Sequence, residues 1–290
     1  MTMTTARRND GVSSASAGDT PSRGRERRRR PPHRWRVWER VALGLLGIVI
    51  FGAITQFVTV SYPDHDTLPV FTDVLVRFVQ LFADPVFYRV LWETVSSFLI
   101  GIAIAVVIGV TIGVAFGLSD FAYRSSRTTL ELIRPVPATS LIPIMILIFG
   151  TGLAPKIILV VLASVWSIIF NTLYGVRGVE PLAKDMARAF GRSRFDIIRS
   201  VVLPASLPMI WAGVKIAATV SLVVVITLEL LLGGSVGIGG LISSAHADQN
   251  DAPAAYSAII VAGLLGLLVN IVLTAVERRY FAWSTTTREG

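Results

Sequence analysis

Cysteine is absent from all 290 residues, which excludes a disulfide framework, a thiol nucleophile and a cysteine-based metal site. Charge is scarce too. Asp, Glu, Lys and Arg make up 16% of the chain, against about a quarter in soluble globular proteins, too little to cover a water-facing surface. No His-Glu-x-x-His or ATP-binding signature occurs, so the chain is expected to be no enzyme and to carry no cofactor. His246 and Asp248 are too few to make a metal site. What is present is apolar: 53% of the residues are hydrophobic and the mean hydropathy is +0.65, gathered in long runs that suit a bilayer.

Residues 1–36 differ from the rest. They are rich in Ser, Thr, Gly and Arg, include Arg27-Arg28-Arg29-Arg30-Pro31-Pro32, and hold almost no large apolar residue before Trp35. Such a segment cannot bury enough surface to offset its ordering entropy and reads as a disordered basic tail beside anionic lipid. The formal charge of +8 invites a nucleic-acid reading, but no folded recognition module accompanies the tail.

Six apolar stretches follow, at 37–60, 90–118, 138–149, 156–174, 207–232 and 256–276. A helix needs about 20 residues to cross a hydrocarbon core about 30 Å thick. The third stretch is short and contains Pro143, so it is expected to borrow residues from about Thr128 onward, with a kink near Pro135-Val136-Pro137. The first is too long for a signal-peptide core. The organisation expected is a tail (1–36), a first transmembrane helix (37–60), an extracytoplasmic connection (61–89), a core domain (90–283) with a long loop at 176–207, and a C-terminal tail (284–290).

Charge orients this set. Ten of the 27 Lys and Arg precede Val37, and six lie in 176–207: Arg177, Lys184, Arg188, Arg192, Arg194 and Arg199. Arg124, Arg127 and Arg134, then Arg278, Arg279 and Arg288, fall on the same side. The opposite connections hold Arg77, Arg89 and Lys156, and none occurs between Gly233 and Ala255. Positive loops stay in the cytoplasm, so both termini and the 176–207 loop are expected there, in a multi-pass protein of a bacterial plasma membrane.

That loop is the most informative segment. Pro181 suits a first helical position and Gly191 suits the left-handed residue that ends a helix. Ser193 and Asp196 have capping-box spacing and would start a second helix, which Pro204 would stop. Leu182, Met186, Ala189 and Phe190 fall near one face of the first helix, with Lys184 and Arg188 toward the other. Taken alone, this is an amphipathic helical hairpin at a membrane surface.

The spacing Asp185-Met186-Ala187, three residues, Gly191, nine residues, Val201-Val202-Leu203-Pro204 resembles the cytoplasmic-loop signature of binding-protein-dependent ABC importer permeases. That signature reads Glu-Ala-Ala, three residues, Gly, nine residues, Ile, any residue, Leu-Pro. Asp185, Met186 and Val201 depart from it in kind, not in position. Further segments are similar to the nitrate, sulfonate, taurine and bicarbonate branch. They are Arg134-Pro135-Val136-Pro137, Ile142-Pro143, Phe149-Gly150, Ala154-Pro155-Lys156, Asn171-Thr172, Gly175-Val176-Arg177, Leu203-Pro204-Ala205-Ser206-Leu207-Pro208 and Gly237-Ile238-Gly239-Gly240-Leu241-Ile242.

The resemblance implies an all-α membrane protein of about six transmembrane helices with a cytoplasmic coupling-helix hairpin, the type I ABC importer permease fold. It implies a permease that moves a small polar solute inward: a sulfonate, nitrate, taurine or related compound, or a pyrimidine vitamin precursor. Implied partners are two ABC ATPase subunits, an extracytoplasmic solute-binding protein and a second permease copy in a homodimer. Asp185, Met186, Ala187, Gly191, Val201, Leu203 and Pro204 would carry the coupling.

Within the spans, Glu229 stands near the outer end of the fifth stretch, where a carboxylate costs on the order of 2.5–3.5 kcal/mol. Either it lines the path or outer gate, or it is a neutral or hydrogen-bonded packing residue. Asn171, Ser221 and Thr227 are the other pathway candidates, Asn171 foremost; the alternative for them, as for Thr219, Trp166 and Ser167, is that they bond their own backbone or pack against a neighbour. The glycine-rich run 233–240 lacks the Lys-Ser/Thr of a phosphate loop and reads as a compact turn or re-entrant piece near the gate. A secondary transporter or channel is the rival function; it would prefer an internal repeat of the spans and leaves the hairpin unexplained.

Overall fold

Inside a hydrocarbon layer no water is present to bond backbone N–H and C=O groups, so apolar runs must satisfy them as helices. The computed structural model describes residues 37–61, 69–133, 136–234, 236–247 and 251–281, and its regular structure there is entirely helical. In chain order the helices are α1 (Val37–Ser61), α2 (Phe71–Leu81), α3 (Pro85–Leu118), α4 (Asp120–Ile133), α5 (Ile142–Phe149) and α6 (Leu153–Arg177). They continue as α7 (Pro181–Ala189), α8 (Arg194–Ile197), α9 (Leu203–Leu232), α10 (Gly237–Ala247) and α11 (Ala252–Tyr280). A 3-10 turn, Ala138–Leu141, leads into α5, and a π turn, Ile198–Val202, joins α8 to α9. The expected tails at 1–36 and 284–290 lie outside the described residues, as do Arg134, Pro135 and Asp248.

Two compact units are distinguished, Met1–Ile48 and Val49–Gly290. Of the first, the described part is residues 37–48, the front half of α1. In the second, four helical runs among the described residues are long and apolar enough to cross a bilayer: α3, α6, Arg194–Leu232 and α11.

The centre of this unit is the pairing of α3 with α6. α3 carries a small residue at every fourth position: Ser97, Gly101, Ala105, Gly109, Gly113 and Gly117. At 3.6 residues per turn such a series forms one stripe along the helix. The facing series on α6 also recurs every fourth residue, as Val160, Ser164, Ile168, Thr172 and Val176. A Cβ added at Gly101 would stand 2.4 Å from Val160 Cγ1; at Gly109, 2.8 Å from Ile168 Cβ; at Gly117, 2.7 Å from Val176 Cβ. Lipid tails are as apolar as leucine, so close backbone approach and van der Waals packing drive such association. α9 packs against α6 by the same device, with Gly213 against Asn171 and Gly175 against Ser206 and Met209.

Three local expectations meet a different arrangement. The continuation sought for the third stretch, from Thr128, is the separate helix α4, which ends at Ile133 ahead of the prolines. The chain restarts as a four-residue turn and the eight-residue α5. The connection 61–89 contains α2, and α3 begins at Pro85, where the Asp84 carboxylate accepts the Val86 N–H at 2.8 Å. Pro204 does not stop the second hairpin helix, which runs on through the π turn into α9. A proline ring clashes with the carbonyl four residues back, and the wider π turn just before Pro204 relieves that clash.

Candidate functional site

Two polar constructions lie at opposite ends of the α3–α6–α9 bundle. At the end away from the hairpin, Lys156 sits in the first turn of α6 and Glu229 in the last turn of α9. Each charge stands at the end its own helix dipole disfavours, and the antiparallel packing of α6 on α9 brings them together. Lys156 Nζ donates to Glu229 Oε1 at 2.7 Å, and both side chains are buried, at 2% and 0% exposure. Thr94 of α3 donates its hydroxyl to Glu229 Oε2 at 2.8 Å. Glu93 Oε2 lies 3.9 Å from Lys156 Nζ, on the more open side.

The same groups cap α10. The Gly239 N–H donates to Glu229 Oε2 at 3.2 Å and the Ile238 N–H to Thr94 Oγ1 at 2.9 Å. Free N–H groups and a positive dipole end meet a carboxylate and a hydroxyl there, the chemistry of a helix N-cap supplied from two other helices. Gly237 has φ +78°, and a Cβ on it would fall 2.0 Å from Glu229 Oε1, so any side chain would displace the carboxylate. A Cβ at Gly239 would lie 2.3 Å from the Ile226 carbonyl. The glycine-rich run is thus the opening of a helix laid directly on α9. Sequence reasoning singled out Glu229 but missed its partner; the signal was a lone lysine in the first turn of an apolar span.

α2 closes the same end. Phe87, Val90, Ile238 and Val261 form a buried cluster flanked by Phe78, Leu81 and Leu241. Arg77 pairs with Asp251 through two guanidinium nitrogens, Nη2 meeting Oδ2 and Nε donating to Oδ1 at 3.2 Å, and Ser257 donates to the Val74 carbonyl at 2.9 Å.

At the other end stands the hairpin. Pro181 opens α7, Gly191 takes φ +73°, and Ser193 and Asp196 form a reciprocal capping box, as their spacing predicts. Ala187, with Val201, packs against the buried cluster Val176, Val179, Ile197 and Val202. Leu182, Met186, Phe190 and Phe195 are exposed to 63%, 54%, 82% and 70%, with no covering neighbour among the described residues. Asp185 is exposed and accepts from Arg188 Nη1 at 2.7 Å. Leu203 is half-buried and Pro204 exposed, where the π turn passes into α9.

The remaining pathway candidates separate. Ser221 is fully buried and its hydroxyl meets that of Ser164 between α9 and α6. Thr227 is half-buried and donates to the Val223 carbonyl of its own helix at 2.8 Å; Thr219 does the same to Lys215 at 3.1 Å. Asn171 donates to the Ser167 carbonyl at 2.8 Å and lines a cavity of about 480 Å³ with Trp166, Ser167, Leu141, Ile216 and Val220. Of the four candidates, Asn171 alone borders this cavity.

The family model described as "Binding-protein-dependent transport system inner membrane component" matches residues 101–282. The putative aliphatic sulfonates transport permease protein SsuC of Escherichia coli (strain K12) is 37% identical over 198 residues, covering 67% of this chain and 74% of that protein. The nitrate import permease protein NrtB of Leptolyngbya laminosa is 31% identical over 210 residues, covering 69% and 74%. Among solved structures, the inward-facing MetNI methionine ABC transporter aligns with a TM-score of 0.56 at 20% identity, over 67% of this chain and 95% of that one, a likeness of fold.

Proposed function

This chain belongs to the binding-protein-dependent transport system inner membrane components, as an ABC importer permease, and we propose that its driving energy enters through the apolar face of α7. The observation that carries this reading is the exposed set Leu182, Met186, Phe190 and Phe195 on a hairpin otherwise folded back on the bundle. Large apolar side chains gathered on a charged surface mark an interaction site, and here the occupant is an ATPase subunit. The rear of α7 rests on Val176 at the end of α6 and on Val202 before α9. A push on the apolar face therefore moves the ends of the two helices that border the Asn171 cavity, which supports alternating access by rigid-body motion.

In this reading two copies of the chain pair around the pathway, and each takes one ATPase subunit. A binding protein delivers a small polar solute of the sulfonate or nitrate kind at the Lys156–Glu229 end. The hairpin and both termini face the cytoplasm, in keeping with the basic loop at 176–207. Glu229 serves the outer gate as the anchor of α10, and Asn171 faces the path.

The test is capture of the ATPase subunit. Met186→Asp/Phe190→Asp places two carboxylates in an interface that must be dry, which should weaken capture by roughly a hundred-fold or more while the chain still inserts and folds. Undiminished capture would remove α7 as the docking element. A second substitution separates docking from transmission. Proline fixes φ near about −65°, whereas Gly191 holds φ +73°, with no described residue beyond its chain neighbours within 4 Å of its Cβ position. Gly191→Pro is expected to leave insertion intact and to cut ATP-driven uptake to under about a tenth, since the hairpin cannot close. Normal uptake would sink the transmission step.

A further inference from the structure

The basic face of α7 is not used by the docking just proposed. Lys184 and Arg188 lie one turn apart, opposite Leu182 and Met186, and border a cleft of about 540 Å³ between the hairpin and the bundle. Arg177 from the end of α6 and Arg194 from the start of α8 complete a set of four cations, with Asp120 at the start of α4 as the one lining carboxylate among the described residues. Asp120 is already committed, since Arg177 Nη2 donates to its Oδ1 at 2.6 Å and the Arg177 guanidinium lies 4.1 Å over the Tyr123 ring. Arg188 is held by Asp185. Lys184, half-buried, and Arg194 have no hydrogen-bond or ion-pair partner among the described residues.

We propose that this cleft binds a phosphate group, supplied by the headgroup of an anionic phospholipid. Like charges converging from α6, α7 and α8 repel one another unless an anion lies between them, and arginine forks match the paired oxygens of a phosphate. The depth favours a lipid source. The cleft opens where the apolar α3 ends, with Gly117 and Leu118 in its wall; Leu118 is exposed to 44%, and Phe121, next in the chain to the lining residue Asp120, to 82%. Apolar side chains beside a phosphate site suit acyl chains below a headgroup, and basic pockets at helix ends on the cytoplasmic side hold anionic headgroups. Bound there, the phosphate ties α7 and α8 to the ends of α6 and α3, so lipid charge sets how firmly the hairpin is seated. The choice of inner leaflet rests on the orientation proposed above; the chemistry of the cleft does not.

The experiment uses the full chain without any ATPase subunit, so that failure of docking cannot disguise the result. The purified protein is placed in phosphatidylcholine nanodiscs with graded phosphatidylglycerol, or with inorganic phosphate in the buffer, and bound ligand is read by native mass spectrometry. Saturable phosphatidylglycerol retention is expected, weakened roughly ten-fold in Lys184→Gln/Arg194→Gln and kept in Lys184→Arg. Saturable binding of inorganic phosphate with the same sensitivity would support the phosphate site and overturn the lipid as its source. Absence of saturable binding of both probes, or binding that the double variant retains, overturns the proposal. An unchanged unfolding temperature in the double variant, whose side chains reach solvent, guards against a folding defect.

Discussion

Lys156→Met is expected to lower the stability of the folded chain by about 3–5 kcal/mol, because it leaves the Glu229 carboxylate buried without its counter-charge. Glu229 is fully buried, and the remaining groups around it, the Thr94 hydroxyl and the Gly239 N–H, are neutral dipoles. They orient a carboxylate but cannot replace an ammonium at 2.7 Å. The double variant Lys156→Met/Glu229→Gln should recover most of the loss, since no net charge stays buried and a glutamine carbonyl still accepts from Thr94 and Gly239. The check is a double-mutant cycle on the purified chain, read by thermal or denaturant unfolding in detergent. A single variant as stable as the parent would show that the ammonium does not hold this end together. Protection of α10 against hydrogen exchange should fall with stability in Lys156→Met, because Glu229 caps that helix.

The second large effect is expected at the α3–α6 contact. A Cβ on Gly113 would fall 2.6 Å from Thr172 Cβ and 2.9 Å from the Ile169 carbonyl oxygen. The oxygen belongs to the backbone of α6 and cannot turn aside as a flexible side chain would. Gly113→Val adds two methyl groups beyond that Cβ, so α3 must back away from α6 and loosen the flanking contacts at Gly109 and Gly117. A cost of about 3 kcal/mol or more is expected, seen as a lowered unfolding temperature and a reduced folded fraction on size-exclusion chromatography. Gly263→Ala, on α11 with no atom of another described element within 4 Å of the added carbon, is the control. It should be neutral or stabilising by about 0.5–1 kcal/mol, as expected for alanine in a helix interior. Equal behaviour of the two variants would remove close backbone approach as the organising contact.

The hairpin was legible residue by residue because its determinants are local. Pro181 at a first helical position, left-handed Gly191 and the Ser193–Asp196 box each act within four residues, so linear spacing carries them. Pro204 is the exception. A proline signals a stop only when the turn before it is an ordinary α turn, and the π turn at Ile198–Val202 changes that condition. The third apolar stretch shows the opposite case. Its residues are apolar enough to suggest a crossing, but a helix can borrow length only where the preceding backbone stays helical, and α4 ends at Ile133.

The amino-acid sequence by itself determined that the chain is an all-helical membrane protein and an importer permease, and where its amphipathic helical hairpin lies. Apolar runs, arginine placement and a signature of fixed spacing are properties of the linear order, and the bilayer leaves apolar runs few ways to satisfy their backbone. Only the tertiary structure decided what Glu229 does. Its partner Lys156 lies 73 positions away and its hydrogen-bonded neighbour Thr94 lies 135 away. No periodicity relates them. They meet because small residues let α3 and α6 approach closely and because α9 runs antiparallel to α6. A charge expensive in hydrocarbon becomes an anchor for α10 once the packing supplies its counter-charge.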